Sequence, residues 1–298
     1  MISTSDVVRR EGRLRQLELL VTRMLDGLLQ GDHQGLVPGG GSDPADGRAY
    51  TPGDDVRRMD WNLTARSGYP HVRTTIADRE LETWLVVDGS ASLDFGTAEC
   101  EKRDLALAAA ATFAFLTVRN GNRIAGALFG PAGATVIPPR TGRDAALALL
   151  HRLEQRDRAD QGPQTTLADV LRRVRLTARR RGLVVLITDL LDTSAWEKEL
   201  RAIGLRHQVV VVDVRDPREQ DLPPVGLLTL VDPETGERLE VHTSNPRLRE
   251  RFAAAAADQA AARARAVRAA GGSHLVLSTD RYWLGDIVRF VAARRRGR

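Results

Sequence analysis

Trp84-Leu85-Val86-Val87-Asp88-Gly89-Ser90-Ala91-Ser92 is the stretch that decides the fold. An apolar run of strand character ends in a carboxylate, and hydroxyls follow two and four positions later. Residues two apart in extended backbone share a side. Asp88, Ser90 and Ser92 can therefore converge just beyond the strand's carboxyl end, where open α/β sheets place their ligands. One anionic and two neutral oxygens, with no His or Cys nearby, form a hard-oxygen set suited to Mg²⁺ or Mn²⁺ rather than zinc. The same spacing also fits a turn whose Asp and Ser side chains bond local backbone.

Downstream the pattern alternates. Ala98 to Asn120 reads as a helix dense in Ala and Leu, Arg123 to Phe129 as a strand, and Thr135 to Pro138 as a short strand stopped by two prolines. Helices are predicted at Asp144 to Leu153 and Thr166 to Arg180. Leu183 to Thr188 and Gln208 to Val214 are almost wholly apolar strands, a sign of burial on both faces. Helix Ala195 to Ile203 joins them. His274 to Leu277 is the expected last strand, before a helix from Tyr282 to Ala293. Such repetition predicts a doubly wound, mainly parallel α/β sheet. It breaks between residues 217 and 245, where Leu227 to Val231 and Arg238 to Val241 flank Asp232-Pro233-Glu234-Thr235-Gly236 as a hairpin insertion. Asn245-Pro246 then starts a long alanine-rich helix that Gly271-Gly272 stops.

Two more oxygen donors fall in suitable places. Thr165 opens a helix, and Asp189 directly follows the buried strand Leu183 to Thr188. If that strand lies beside Trp84 to Val87, both carboxylates stand at adjacent carboxyl ends and five groups face one cleft.

Upstream, Leu14, Leu17, Val21, Met24 or Leu25, and Leu28 recur at helical spacing, giving an amphipathic helix. It packs against the protein or lies on a membrane or partner surface. The Gly-rich loop Val37 to Pro44 follows no strand and lacks the Lys-Ser/Thr of a phosphate-binding loop. In Tyr50 to Trp61, Pro52-Gly53 fits a type II turn, and Asp54 or Asp55 is placed to cap the next helical turn. Arg57, Asp60 and Arg66 are spaced to pair around Trp61, as a charged buckle or as a docking surface. Val72 to Ile76 reads as a lead-in strand.

The 298 residues, 42% hydrophobic and 28% charged, describe a globular chain with a sizeable core. No apolar run spans a bilayer and no secretory leader is recognisable, so a cytoplasmic location is expected. The single cysteine, Cys100, rules out an internal disulfide. A net charge of +5 raises nucleic acid as a partner. Yet Lys102 and Lys198 are the two lysines among 44 basic residues, so the arginine excess reads as coding bias, and no nucleic-acid partner is expected.

Asp88-Gly89-Ser90-Ala91-Ser92, Thr165 and Asp189, with those elements between them, resemble the metal-ion-dependent adhesion site of von Willebrand factor A domains. Tyr50 to Trp61 with Thr64-Ala65-Arg66 resembles the hallmark of one bacterial branch, the domain-of-unknown-function family 58. The resemblance implies strand order 3-2-1-4-5-6 and a Mg²⁺ site, with Mn²⁺ as substitute. Ser90, Ser92 and Thr165 would touch the metal, and Asp88 and Asp189 would hold it through water and hydrogen bonds. Thr165 is preferred to Thr166 because it lies six residues before Leu171. The implied partner is a MoxR-type AAA ATPase or its protein client, gripped through an acidic residue by a chaperone-like adaptor. The chain then divides into 1–47 (helix and Gly-rich loop), 48–80 (turn and lead-in strand) and 81–298 (the von Willebrand factor A-like domain). Arg57, Asp60, Trp61 and Arg66 are candidate partner-binding residues.

The competing class is a metal-dependent hydrolase or phosphotransferase in the same cleft. Against it, no His or Glu is predicted there as a base, and Ser90 and Ser92 lack the Gly-x-Ser-x-Gly elbow.

Overall fold

The computed structural model describes residues 14–23, 48–51, 56, 59–72, 81–131, 133–155 and 165–296. Residues 14–23 form helix α1. Leu14 and Val21 on it are buried in the core and Leu17 packs against it, so this stretch covers the protein. The predicted continuation through Met24, Leu25 and Leu28 lies outside the described residues, as do the Gly-rich loop, Asp54, Asp55 and Arg57. A two-residue strand, β1 (Arg48–Ala49), pairs antiparallel with β2 (His71–Val72) around helix α2 (Trp61–Ser67). The expected lead-in strand thus begins at His71, and its remainder to Ile76 is not described.

The main sheet starts with β3 (Glu82–Asp88), followed by helix α3 (Lys102–Arg119) and strands β4 (Arg123–Gly130) and β5 (Gly133–Arg140). Helices α4 (Arg143–Glu154) and α5 (Leu167–Thr177) lead to β6 (Gly182–Thr188), α6 (Trp196–Gly204) and β7 (Gln208–Arg215). The hairpin strands β8 (Leu227–Val231) and β9 (Arg238–His242) follow, then α7 (Pro246–Ala269), β10 (Ser273–Ser278) and α8 (Trp283–Arg296). The six strands lie in the order β10-β7-β6-β3-β4-β5. Counted along the chain this is 3-2-1-4-5-6, all parallel except the β4–β5 pair.

Trp84, Leu85, Val86 and Val87 are all 0% exposed, because the strand is central and covered on both sides. Leu85 and Val87 face the core under α1, α3, α4 and α8; Trp84 and Val86 face the one under α5, α6 and α7. Full burial contributes about 1.5–3 kcal/mol per large apolar side chain. Register between β3 and β6 is fixed at Gly182, where a Cβ would stand 1.9 Å from the Glu82 carbonyl oxygen. Because β3 and β6 pair Val87 with Ile187, their carboxyl ends finish side by side.

Several boundaries differ from expectation, and three have a clear physical reason. Helix α3 begins at Lys102 rather than Ala98, since residues 97–100 bend and Glu101 forms a capping box with Asp104. Strand β5 runs through Pro138 and Pro139 to Arg140 instead of stopping there. It is an edge strand, where proline removes no ladder bond that the sheet needs. Helix α5 ends at Thr177, and Ala178 turns into the core.

Candidate functional site

At the carboxyl rim of β3 and β6 the sequence-predicted residues meet in part. The Ser90 backbone N–H donates to Asp88 Oδ1 at 2.8 Å, and the Thr188 hydroxyl donates to Asp88 Oδ2 at 2.6 Å. Ser90 Oγ and Ser92 Oγ are 2.9 Å apart. The Gly89 N–H reaches the Phe129 carbonyl at 2.8 Å, and the Thr165 N–H lies 3.5 Å from the carbonyl of Gly130, one residue further along β4. Thr165 therefore stands at the same rim. Thr166 caps α5 and its hydroxyl donates to Asp169 Oδ2 at 2.8 Å, so of the two threonines Thr165 is the one not committed to the cap.

Asp88 is 5% exposed. Burial, together with the neighbouring Asp189 carboxylate, pushes its carboxyl up to about 6, although the Thr188 and Ser90 hydrogen bonds pull the other way. Hydroxyls and an N–H satisfy its oxygens without cancelling its charge.

Asp189 departs from expectation. Its Oδ2 accepts from the Lys102 ammonium at 2.9 Å, and its Oδ1 accepts the Leu191 N–H at 3.2 Å. Lys102 also pairs with Glu219, from the short helical turn Pro217–Glu219 that opens the insertion. The Lys102 side chain is 0% exposed. Its burial lowers the ammonium pKa, but Asp189 and Glu219 outweigh that and hold it above the ordinary value. After Asp189 the chain turns through Leu190 at φ +56, a left-handed conformation that costs a non-glycine residue about 1–2 kcal/mol. The Leu190 N–H on Thr188 Oγ1 at 3.1 Å holds that turn.

A divalent cation fits the β3 half of this rim. The Ser90 and Ser92 hydroxyls are hydrogen-bonded to each other at 2.9 Å, a separation that adjacent ligands of an octahedral ion at about 2.0–2.1 Å also take. Behind them Asp88 supplies a buried negative charge with neutral partners. The fit is poorer at Asp189, where Lys102 already supplies positive charge.

Sequence reasoning also missed two glutamates, because both come from the insertion. Glu219 reaches Lys102, and Glu234, at the hairpin tip, accepts the Ser92 N–H at 2.8 Å. The expectation of no glutamate at this cleft is therefore corrected. One signal was available for Lys102: in a chain that otherwise chooses arginine, a retained lysine marks a place where a compact ammonium is needed.

The other predicted cluster is more open. Asp60 caps α2, accepting the Asn62 and Leu63 N–H groups at 3.1 Å each. Trp61 is 68% exposed and Arg66 is exposed on the same helix.

The protein-family model described as "Protein of unknown function DUF58" matches residues 46–262. The chain belongs to the DUF58 family. An uncharacterised Mycobacterium bovis protein, Mb1516, is 53% identical over 284 residues, covering 95% of this chain and 89% of its own length. The uncharacterised Mycobacterium tuberculosis protein Rv1480 aligns with the same identity and coverage. Among solved structures, BatB from Bacteroides thetaiotaomicron is similar at 14% identity and TM-score 0.46, covering 72% of this chain and 99% of that one. The SpRpn10 VWA domain is similar at 12% identity and TM-score 0.40, covering 70% and 93%. No helix among the described residues is long and apolar enough to cross a membrane.

Proposed function

We propose that this DUF58 protein is a non-catalytic, metal-dependent protein-binding module of the cytoplasm that serves a MoxR-type AAA ATPase as adaptor or chaperone-like partner. Ser90, Ser92 and Thr165 would touch a Mg²⁺ ion, with Mn²⁺ as substitute, and Asp88 and Asp189 would sit behind it. The observation that carries this is the Ser90–Ser92 oxygen pair, at octahedral spacing, in front of a buried Asp88 that no described cationic side chain pairs. When bound, the ion supplies an exchangeable coordination position that a carboxylate of another protein takes. Asp88 orders the loop by holding the Ser90 N–H, and Thr188 fixes the carboxylate's other oxygen. Lys102 keeps Asp189 neutralised, which limits the negative charge available to the ion and keeps its affinity modest without a partner.

Parallel pull-downs from native lysate with wild type and Asp88→Ala, each in Mg²⁺ or EDTA, test the proposal. A MoxR-type ATPase retained by wild type in Mg²⁺ and lost in the other three samples is the expected result. Equal retention in all four would leave a partner and remove the metal from its recognition.

A further inference from the structure

The hairpin β8–β9 returns over the rim that the proposed function assigns to a partner. Its tip is tightly built. The Asp232 N–H donates to the Glu237 carbonyl at 2.9 Å, the Gly236 N–H donates to the Asp232 carbonyl at 2.8 Å, and Gly236 takes φ +74, which glycine adopts without cost. Asp232 Oδ1 accepts the Glu234 N–H at 2.9 Å, and Thr235 Oγ1 accepts the Glu237 N–H at 3.2 Å. Side chain and backbone thus pre-set the direction in which Glu234 points.

That direction is the candidate site. Glu234 Oε1 accepts the Ser92 backbone N–H at 2.8 Å, across 142 residues of sequence. A carboxylate from one element therefore already lies against the loop that carries both hydroxyls. The strands behind it pair with each other, and Leu227, Val231 and Leu239 are 61%, 55% and 61% exposed. A two-stranded hairpin with so much apolar surface in water is marginal by itself, and Glu234 is a contact that ties its tip to the rim.

Resting on the metal-dependent reading above, we propose that the Ser90–Ser92 rim is a carboxylate-binding notch whose resident occupant is Glu234. The external ligand is then an acidic residue at the tip of a tight turn in another protein, and it enters by displacing the hairpin. The sequence Leu230 to Arg238 is a template for that ligand. An intramolecular occupant acts at a high effective concentration, and the apparent affinity of an outside competitor is its intrinsic affinity multiplied by the open fraction. Occupancy by Glu234 therefore sets a threshold that weak acidic peptides do not cross.

The test uses the full chain as wild type, Glu234→Ala and Glu234→Gln. Three readouts are taken: hydrogen exchange across residues 89–95, Mn²⁺ binding, and binding of a labelled synthetic peptide of residues 230–238 in Mg²⁺. Removing the carboxylate should speed exchange in that loop and strengthen peptide binding about tenfold or more. The amide of Glu234→Gln should give an intermediate result, because it keeps an acceptor but loses the charge. A control peptide with Gln at the position of Glu234, and Glu237 kept, should not bind. Unchanged exchange together with equal peptide affinity for all three proteins would overturn the notch, and Mn²⁺ binding by wild type would then leave the metal site standing. Faster exchange and tighter peptide binding with no Mn²⁺ bound by any of the three would keep the notch and overturn the metal.

Discussion

Asp88 and Asp189 end neighbouring parallel strands and are both buried, yet their surroundings are opposite. Asp88 is met by the Ser90 N–H and the Thr188 hydroxyl, which satisfy its oxygens and leave its charge uncompensated. Asp189 is met by a fully buried ammonium. One carboxylate has a cationic partner in the structure, and the other has only neutral ones among the described residues. The register decides: Val87 pairs with Ile187, so Thr188 stands level with Asp88, while Asp189, one residue further, alternates to the side of α3 and meets Lys102 there.

The hardest blow to this contrast is Lys102→Met. It leaves Asp189 buried without its cation and should cost about 3–5 kcal/mol, read by urea denaturation. Adding Asp189→Asn should recover most of the loss, because the pair then disappears together. A single substitution that costs under 1 kcal/mol would show that Asp189 is not dependent on Lys102.

Asp88→Asn should act in the opposite direction. The Asp88 carboxyl is raised from 3.8 to about 6 in the folded protein. Its stability contribution is therefore fully present below pH 4 and is lost as pH rises through 6. Without divalent ions the wild type should be less stable at pH 8 than at pH 5 by about 1 kcal/mol from this group. The variant should be more stable than wild type at pH 8 by a similar amount, and its pH profile should lack that slope. Thermal melts in EDTA across this range read both effects.

Divalent ion should then sharpen the difference. Mg²⁺ at about five times its dissociation constant should add only about 1 kcal/mol to wild type, flatten the slope above pH 6, and do neither for Asp88→Asn. The smallest effect belongs to the far end of the chain's predicted surface: Trp61→Ala should change stability by under about 0.5 kcal/mol. If it nevertheless weakens partner retention, the α2 face joins the rim as a contact.

The sheet was legible because its strands are short, apolar and separated by amphipathic helices, so the Trp84 to Val87 and Leu183 to Thr188 runs could be read as buried on both faces. Asp88 was legible as the end of a buried strand, but the two hydroxyls meet for a reason other than period-two extension: Ser90 precedes a short helical turn, Ala91–Asp94, that contains Ser92, and this turn brings their oxygens together. The partners of Asp189 were not legible. Lys102 opens a helix 87 residues earlier and Glu219 lies 30 residues later, and only the packed sheet brings them together. Glu234 was read as part of a hairpin turn and nothing more, since sequence places a turn but not the surface onto which it folds. Helix ends failed for a related reason: Ala98 to Glu101 has acceptable helix composition, but the Glu101–Asp104 capping box starts the helix later.

The Pro138-Pro139 pair in β5 has one further consequence. Successive amides of a strand point to opposite edges, so of these two consecutive residues without an amide hydrogen one faces the open border, and a foreign strand drawn alongside finds a donor missing there. Lateral growth of the sheet is made less favourable at this end of the flank.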